Sequence, residues 1–120
     1  MIGSDDPLDD RKKSQEAKYK MDEERRFKLR ARRNKLLGLW AAAQMGLDDA
    51  ATADFAKEAV MIGLEAPDDT QFIGRLCVQT GGIDESRLTE QLPHAEEEAA
   101  RQLATEFPTA LDTDHEQVGG

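Results

Sequence analysis

The chain has 120 residues and a formal net charge of −9, with 34% charged and 5% aromatic residues. That length suits one small domain, and the charge content leaves a solvated arm or tail beside a modest core. The single cysteine, Cys77, excludes an internal disulfide, no apolar run is long enough to span a membrane, and the acidic start MIGSDDPLDD is unlike a signal peptide, so a soluble cytoplasmic protein is expected.

The charge is divided along the chain. Residues 1–40 carry 12 Lys or Arg against 8 Asp or Glu, whereas residues 41–120 carry 4 against 17. Residues 25–35, RRFKLRARRNK, hold seven basic side chains and no acidic one. Such separation points either to an acidic partner or to contact with the protein's own acidic remainder.

Alanine, glutamate, leucine, lysine and arginine dominate, which favours helix over strand. Residues 1–10 combine Gly3, Ser4, Pro7 and four aspartates and read as disordered. Residues 11–46 have no proline and no glycine before Gly38 and read as one helix, frayed before residue 20. Its helical periodicity gives two apolar faces: Leu29, Leu36, Trp40, Ala43 and Leu47, and Phe27, Ala31, Asn34, Gly38, Ala41 and Met45. The second is lined largely by small residues, so a neighbouring helix can approach closely. Lys28, Arg32 and Lys35 flank one side, and Arg26, Arg30 and Arg33 the other, with their stems over apolar surface and their heads wet.

Gly46 ends this helix. A second runs from Asp48 or Asp49 to Gly63, with Phe55, Ala56, Ala59, Val60 and Ile62 inside. Pro67 breaks the chain, and Asp68 and Asp69 cap a third helix through Thr80, with Phe72, Ile73, Leu76 and Cys77 inside and Gly81-Gly82 after it. Asp84 caps a fourth, whose inner residues are Leu88, Leu92, Ala95, Ala99 and Leu103; Pro93 should kink or split it. The expected fold is all-α: a small four-helix bundle over residues 21–107, a flexible N-terminal arm over 1–20 and a polar tail over 108–120.

No catalytic or metal-binding constellation appears. His94 and His115 have no second ligand at metal spacing, and Asp112, Asp114 and Glu116 start a calcium-like pattern whose glycine is replaced by Gln117. Gly81-Gly82 lacks the lysine of a phosphate loop. The basic stretch suits phosphates, but the acidic body and one aromatic, Phe27, argue against a nucleic-acid partner.

ARRNKLLGLWAA (31–42), preceded by DEE (22–24) and Phe27-Lys28, resembles the signature of the zeta inhibitor subunits of alphaproteobacterial F-type ATP synthases. AKEAV (56–60), the acidic run from Glu65 to Asp69 and the helix after Ile83-Asp84 extend the resemblance over residues 9–106. It implies a four-helix bundle and a regulatory role without enzymatic activity. Family members stop ATP hydrolysis by inserting a mobile N-terminal segment between subunits of the catalytic head, while the globular part docks outside. Carried onto this chain, the inhibitory contact is Asp10, Arg11, Glu16, Lys18, Tyr19, Met21 and Phe27. Arg30, Arg32, Arg33 and Lys35 steer docking, and Leu36, Gly38, Trp40, Phe55 and Phe72 are core.

The chain departs from the family at Gln15, where an aromatic is usual, and at Arg25 and Arg26; Tyr19 keeps the second aromatic. The resemblance also implies a free monomer that becomes peripheral on the membrane-bound synthase, with no metal, no resident cofactor and no insertion into lipid. Some members are thought to bind adenine nucleotide. Two other readings stand beside inhibition: a small ADP- or ATP-binding bundle whose arginines read phosphates, and a general interaction module for an acidic protein.

Overall fold

The structure, a computed structural model, describes residues 7–106, with side chains from Asp22 onward. Four helices follow in order: α1 (Pro7–Met45), α2 (Asp49–Glu65), α3 (Asp69–Thr80) and α4 (Glu85–Glu106). No strand occurs among the described residues. The readings of residues 1–6 and of the tail, 108–120, lie outside them.

Each boundary follows from local chemistry. α1 begins at Pro7, earlier than residue 11, because the first turn of a helix needs no N–H from its proline. It closes at Gly46, whose φ of 72° is open to glycine. There the Gly46 N–H donates to the Ala43 carbonyl and the Leu47 N–H to the Ala42 carbonyl, each at 3.1 Å, the paired bonds of a Schellman cap. Asp48 and Asp68 cap α2 and α3, accepting from the Ala51 and Gln71 N–H groups at 2.8 Å each. α4 starts directly after Asp84, whose carbonyl accepts from the N–H groups of Arg87 and Leu88. Pro93 does not split α4, which continues unbroken to Glu106.

α1 is the central element. It packs most extensively on α2, then on α4, and also touches α3. The fully buried large side chains are Phe72, Leu37, Leu76 and Leu88, joined by Ala41, Ala42, Ala56, Ala59, Ala95 and Ala99. Leu36, Trp40 and Phe55 pack against this core while partly exposed. Alanine and glycine at the α1–α2 seam set the helices close together. A Cβ on Gly38 would lie 2.7 Å from the Ala59 Cβ and 3.1 Å from the Ala56 Cα. A Cβ on Gly63 would overlap the Asn34 side-chain nitrogen.

Three expectations for α1 change. Leu37 was on neither apolar face, yet it is fully buried. Ala43 and Leu47 were read as inner residues and are exposed. Phe27, on the small-residue face, is 57% exposed. The causes are geometric: α1 touches three helices, so its buried arc spans the gap between the two faces. Phe27 precedes the stretch that α2 covers, and Leu47 lies beyond the cap.

Candidate functional site

The length of α1 creates the site. Its 39 residues span ~58 Å at 1.5 Å per residue, against ~26 Å for the 17 residues of α2. The described molecule measures 68 × 36 × 23 Å, an elongated shape set by this helix. Residues 23–28 are all exposed, between half-buried Asp22 and half-buried Leu29. A charged helical segment therefore leaves the bundle at one end, with Phe27 exposed on it.

Arg33 fixes the root of that segment. It lies on α1 between the two apolar faces, and its side chain is 6% exposed. Nη2 donates to Asp69 Oδ1 at 2.8 Å and Nη1 to Asp69 Oδ2 at 3.1 Å, a bidentate pair that joins α1 to the start of α3. Nε donates to Asn34 Oδ1 at 3.0 Å. The Glu96 carboxylate of α4 stands 3.5 Å from Nη1, and the Phe72 ring centre is 6.0 Å from the guanidinium. One buried cation thus ties together three helices. The Arg33 hydrogen bonds hold the Asp69 carboxyl below its ordinary range; partial burial opposes this, and the charges of Arg33 and Arg30 add to it.

Arg32 makes a second clasp at the end of α4. Nη1 and Nη2 donate to the two carboxylate oxygens of Glu106 at 2.7 Å each, and Nη1 also to Gln102 Oε1 at 2.8 Å. The Arg32 hydrogen bonds lower the Glu106 carboxyl, against slight desolvation and with help from the charges of Arg32 and Lys35. At the other end of the bundle, Arg87 of α4 lies 5.4 Å from the Trp40 ring centre and donates to Gln44 Oε1 at 3.0 Å.

The residues expected to carry function therefore separate. Phe27, Arg30 and Lys35 are exposed on α1; Arg32 and Arg33 are engaged inside the molecule, Arg33 in its interior. Asp10, Arg11, Glu16, Lys18, Tyr19 and Met21 fall on the backbone of α1, with their side chains outside those described. Asp69, Glu96, Gln102 and Glu106 hold the arginines and had no such role in the sequence reading. Asp69 was legible as a helix-capping candidate, but nothing in its spacing named Arg33 as its partner.

A cavity of about 290 Å³ opens beside the Arg33–Asp69 pair, lined by Arg30, Arg33, Gly63, Ala66, Pro67, Asp68, Asp69 and Phe72. No group of three or more potential metal ligands occurs among the described residues, and no described helix is long and apolar enough to cross a membrane.

The chain matches the family model described as ATPase inhibitor subunit zeta over residues 5–102, which covers both the protruding segment and the bundle. Comparison with curated proteins and with solved structures gives no match.

Proposed function

The chain belongs to the ATPase inhibitor zeta-subunit family, and on that premise we propose that it blocks ATP hydrolysis by an F-type ATP synthase. Its N-terminal segment inserts between subunits of the catalytic head while the bundle docks outside. The observation that carries this reading is the exposure of residues 23–28 on a helix whose continuation is locked into the bundle by Arg33. A segment that binds a moving machine needs surface of its own and a firm root, and α1 supplies both in one element. The protein then acts as a non-enzymatic regulator, peripheral to the membrane-bound enzyme.

In this reading, Asp10, Arg11, Glu16, Lys18, Tyr19, Met21 and Phe27 make the inhibitory contact. Arg30 and Lys35 steer docking from the exposed surface, whereas Arg32 and Arg33 act chiefly by fixing the segment's direction. Phe27 is the clearest anchor: a large apolar side chain left 57% exposed gains by burial against a partner.

We favour inhibition over nucleotide binding at the cavity, whose two arginines, Arg30 and Arg33, stand beside two carboxylates. Both of Arg33's terminal nitrogens already serve Asp69, and the Asp68 and Asp69 carboxylates line the opening with negative charge.

The contact residues are tested by titrating the chain into a purified F-type ATPase. Phe27→Ala and Tyr19→Ala should each raise the half-inhibiting concentration about ten-fold or more, matching ~1.5–3 kcal/mol for a buried large side chain. Unchanged inhibition by both variants contradicts this assignment.

A further inference from the structure

We propose that Asn34, with Arg33 beside it and Gly63 across from it, is an orientation lock: a positioning residue that sets the angle and rotation at which α1 leaves the bundle, and that contributes aim rather than stability. The α1–α2 hairpin is closed at one end only, where Gly46, Leu47 and Asp48 join the two helices. At the open end the seam runs out where Asn34 meets Gly63, ~18 Å along α1 from Gly46. Between these points Gly38 lies against Ala56 and Ala59. Crossing angles are set by side-chain ridges seated in grooves, and a seam of glycine and alanine brings helices close with little relief to fix the angle.

Asn34 supplies the missing constraint. It is 2% exposed, a polar side chain inside an apolar seam. Its Oδ1 accepts from Arg33 Nε at 3.0 Å. A Cβ on Gly63 would collide with the Asn34 amide nitrogen and stand 3.1 Å from its Cγ. Glycine weakens a helix interior, and at this position it admits the amide. Through Arg33 the amide is coupled to Asp69 of α3 and Glu96 of α4, so all four helices meet at two adjacent residues of α1. A buried polar contact is satisfied in one arrangement, whereas an apolar contact of the same shape tolerates several. The Asp69 and Glu96 side chains are 55% and 54% exposed, so replacing the arginine strands no buried carboxylate. The Arg32–Glu106 clasp at the same root has a 43% exposed carboxylate and is too solvated to hold the angle alone.

The length of α1 magnifies any error at this point. Residue 10 lies 36 positions before Gly46, and a swing of about 10° about the closed end carries its backbone through ~9 Å. The consequence for inhibition rests on the function proposed above; the lock does not.

The test uses the full chain in a Cys77→Ser background, with spin labels at Met61→Cys and at either Glu23→Cys or Arg25→Cys, all exposed positions. Glu23 lies on the side of α1 that faces α2, four positions before Phe27 and eleven before Asn34, and Arg25 lies on the opposite side. In the native chain both distance distributions should be narrow, with the Glu23 pair the shorter. Arg33→Met with Asn34→Leu keeps the volume and removes the lock, and Gly63→Ala pushes the amide aside with Arg33 intact. Each change should roughly double the width of both distributions and shrink the difference between the pairs, while the thermal midpoint of the first variant does not fall. Each should also weaken inhibition of an F-type ATPase about ten-fold, the cost of ordering a loosened segment on binding. Distributions as narrow as the native ones overturn the proposal. Widening that comes only with loss of the bundle's cooperative transition overturns it too, since the pair is then a structural support. A native chain that does not inhibit, with distances that respond as stated, retires the function and leaves the lock in place.

Discussion

Arg33 is a charge set among apolar neighbours on α1, tolerated because Asp69, Glu96 and Asn34 meet it from three elements. Removing a carboxylate from such a cation leaves it under-compensated. Asp69→Asn should cost about 1–2 kcal/mol at pH 7, measured by urea unfolding. The pH dependence has a definite sign. Asp69 has a lowered pKa in the folded state and an ordinary one near ~3.9 when unfolded. Its contribution is therefore complete above that unfolded value and is lost as pH falls through the lowered folded value. The gap between the native chain and Asp69→Asn should stay constant from neutral pH to about pH 5 and close in stronger acid. A gap that widens in acid contradicts the assigned pair. Coupling between Arg33→Met and Asp69→Asn in a double-mutant cycle should reach about 1–3 kcal/mol.

At the scale of elements, the α1–α2 seam depends on absent side chains. Gly38→Ala gains helix propensity of about 1 kcal/mol but drives a methyl into Ala59 and the Ala56 backbone. Overpacking should win, for a net loss of about 1–2 kcal/mol in unfolding free energy. Gly74, inside α3, has nothing within 4 Å of where its Cβ would be. Gly74→Ala should therefore stabilise by about 0.5–1 kcal/mol; loss at Gly74 or gain at Gly38 would refute the packing account. The contrast also marks how far the sequence could be read. The four helices, the caps at Asp48 and Asp68 and the small-residue face around Gly38 were legible, because local propensity and spacing encode them. The burial of Leu37 and Arg33 was not, since it depends on α1 touching three helices at once. The residues expected to steer docking show the same limit: a basic run shows its charge in sequence, but not that Arg32 and Arg33 find carboxylates at Glu106 and Asp69.

At the scale of the molecule, one helix has two parts: its C-terminal half belongs to the bundle, and its exposed segment is the part we propose to meet the ATPase. Among the described residues the buried ones all come from residue 33 or later, so loss of the first twenty residues should leave the bundle's thermal unfolding nearly unchanged. Inhibition should depend on those same residues. The measurement that decides the matter is ATP hydrolysis by an F-type ATPase titrated with the full chain and, in parallel, with a variant lacking residues 1–20. The account predicts that the full chain suppresses hydrolysis and that the shortened chain, folded to the same extent, does not. Equal suppression by both, or suppression by neither with the bundle intact, would contradict it.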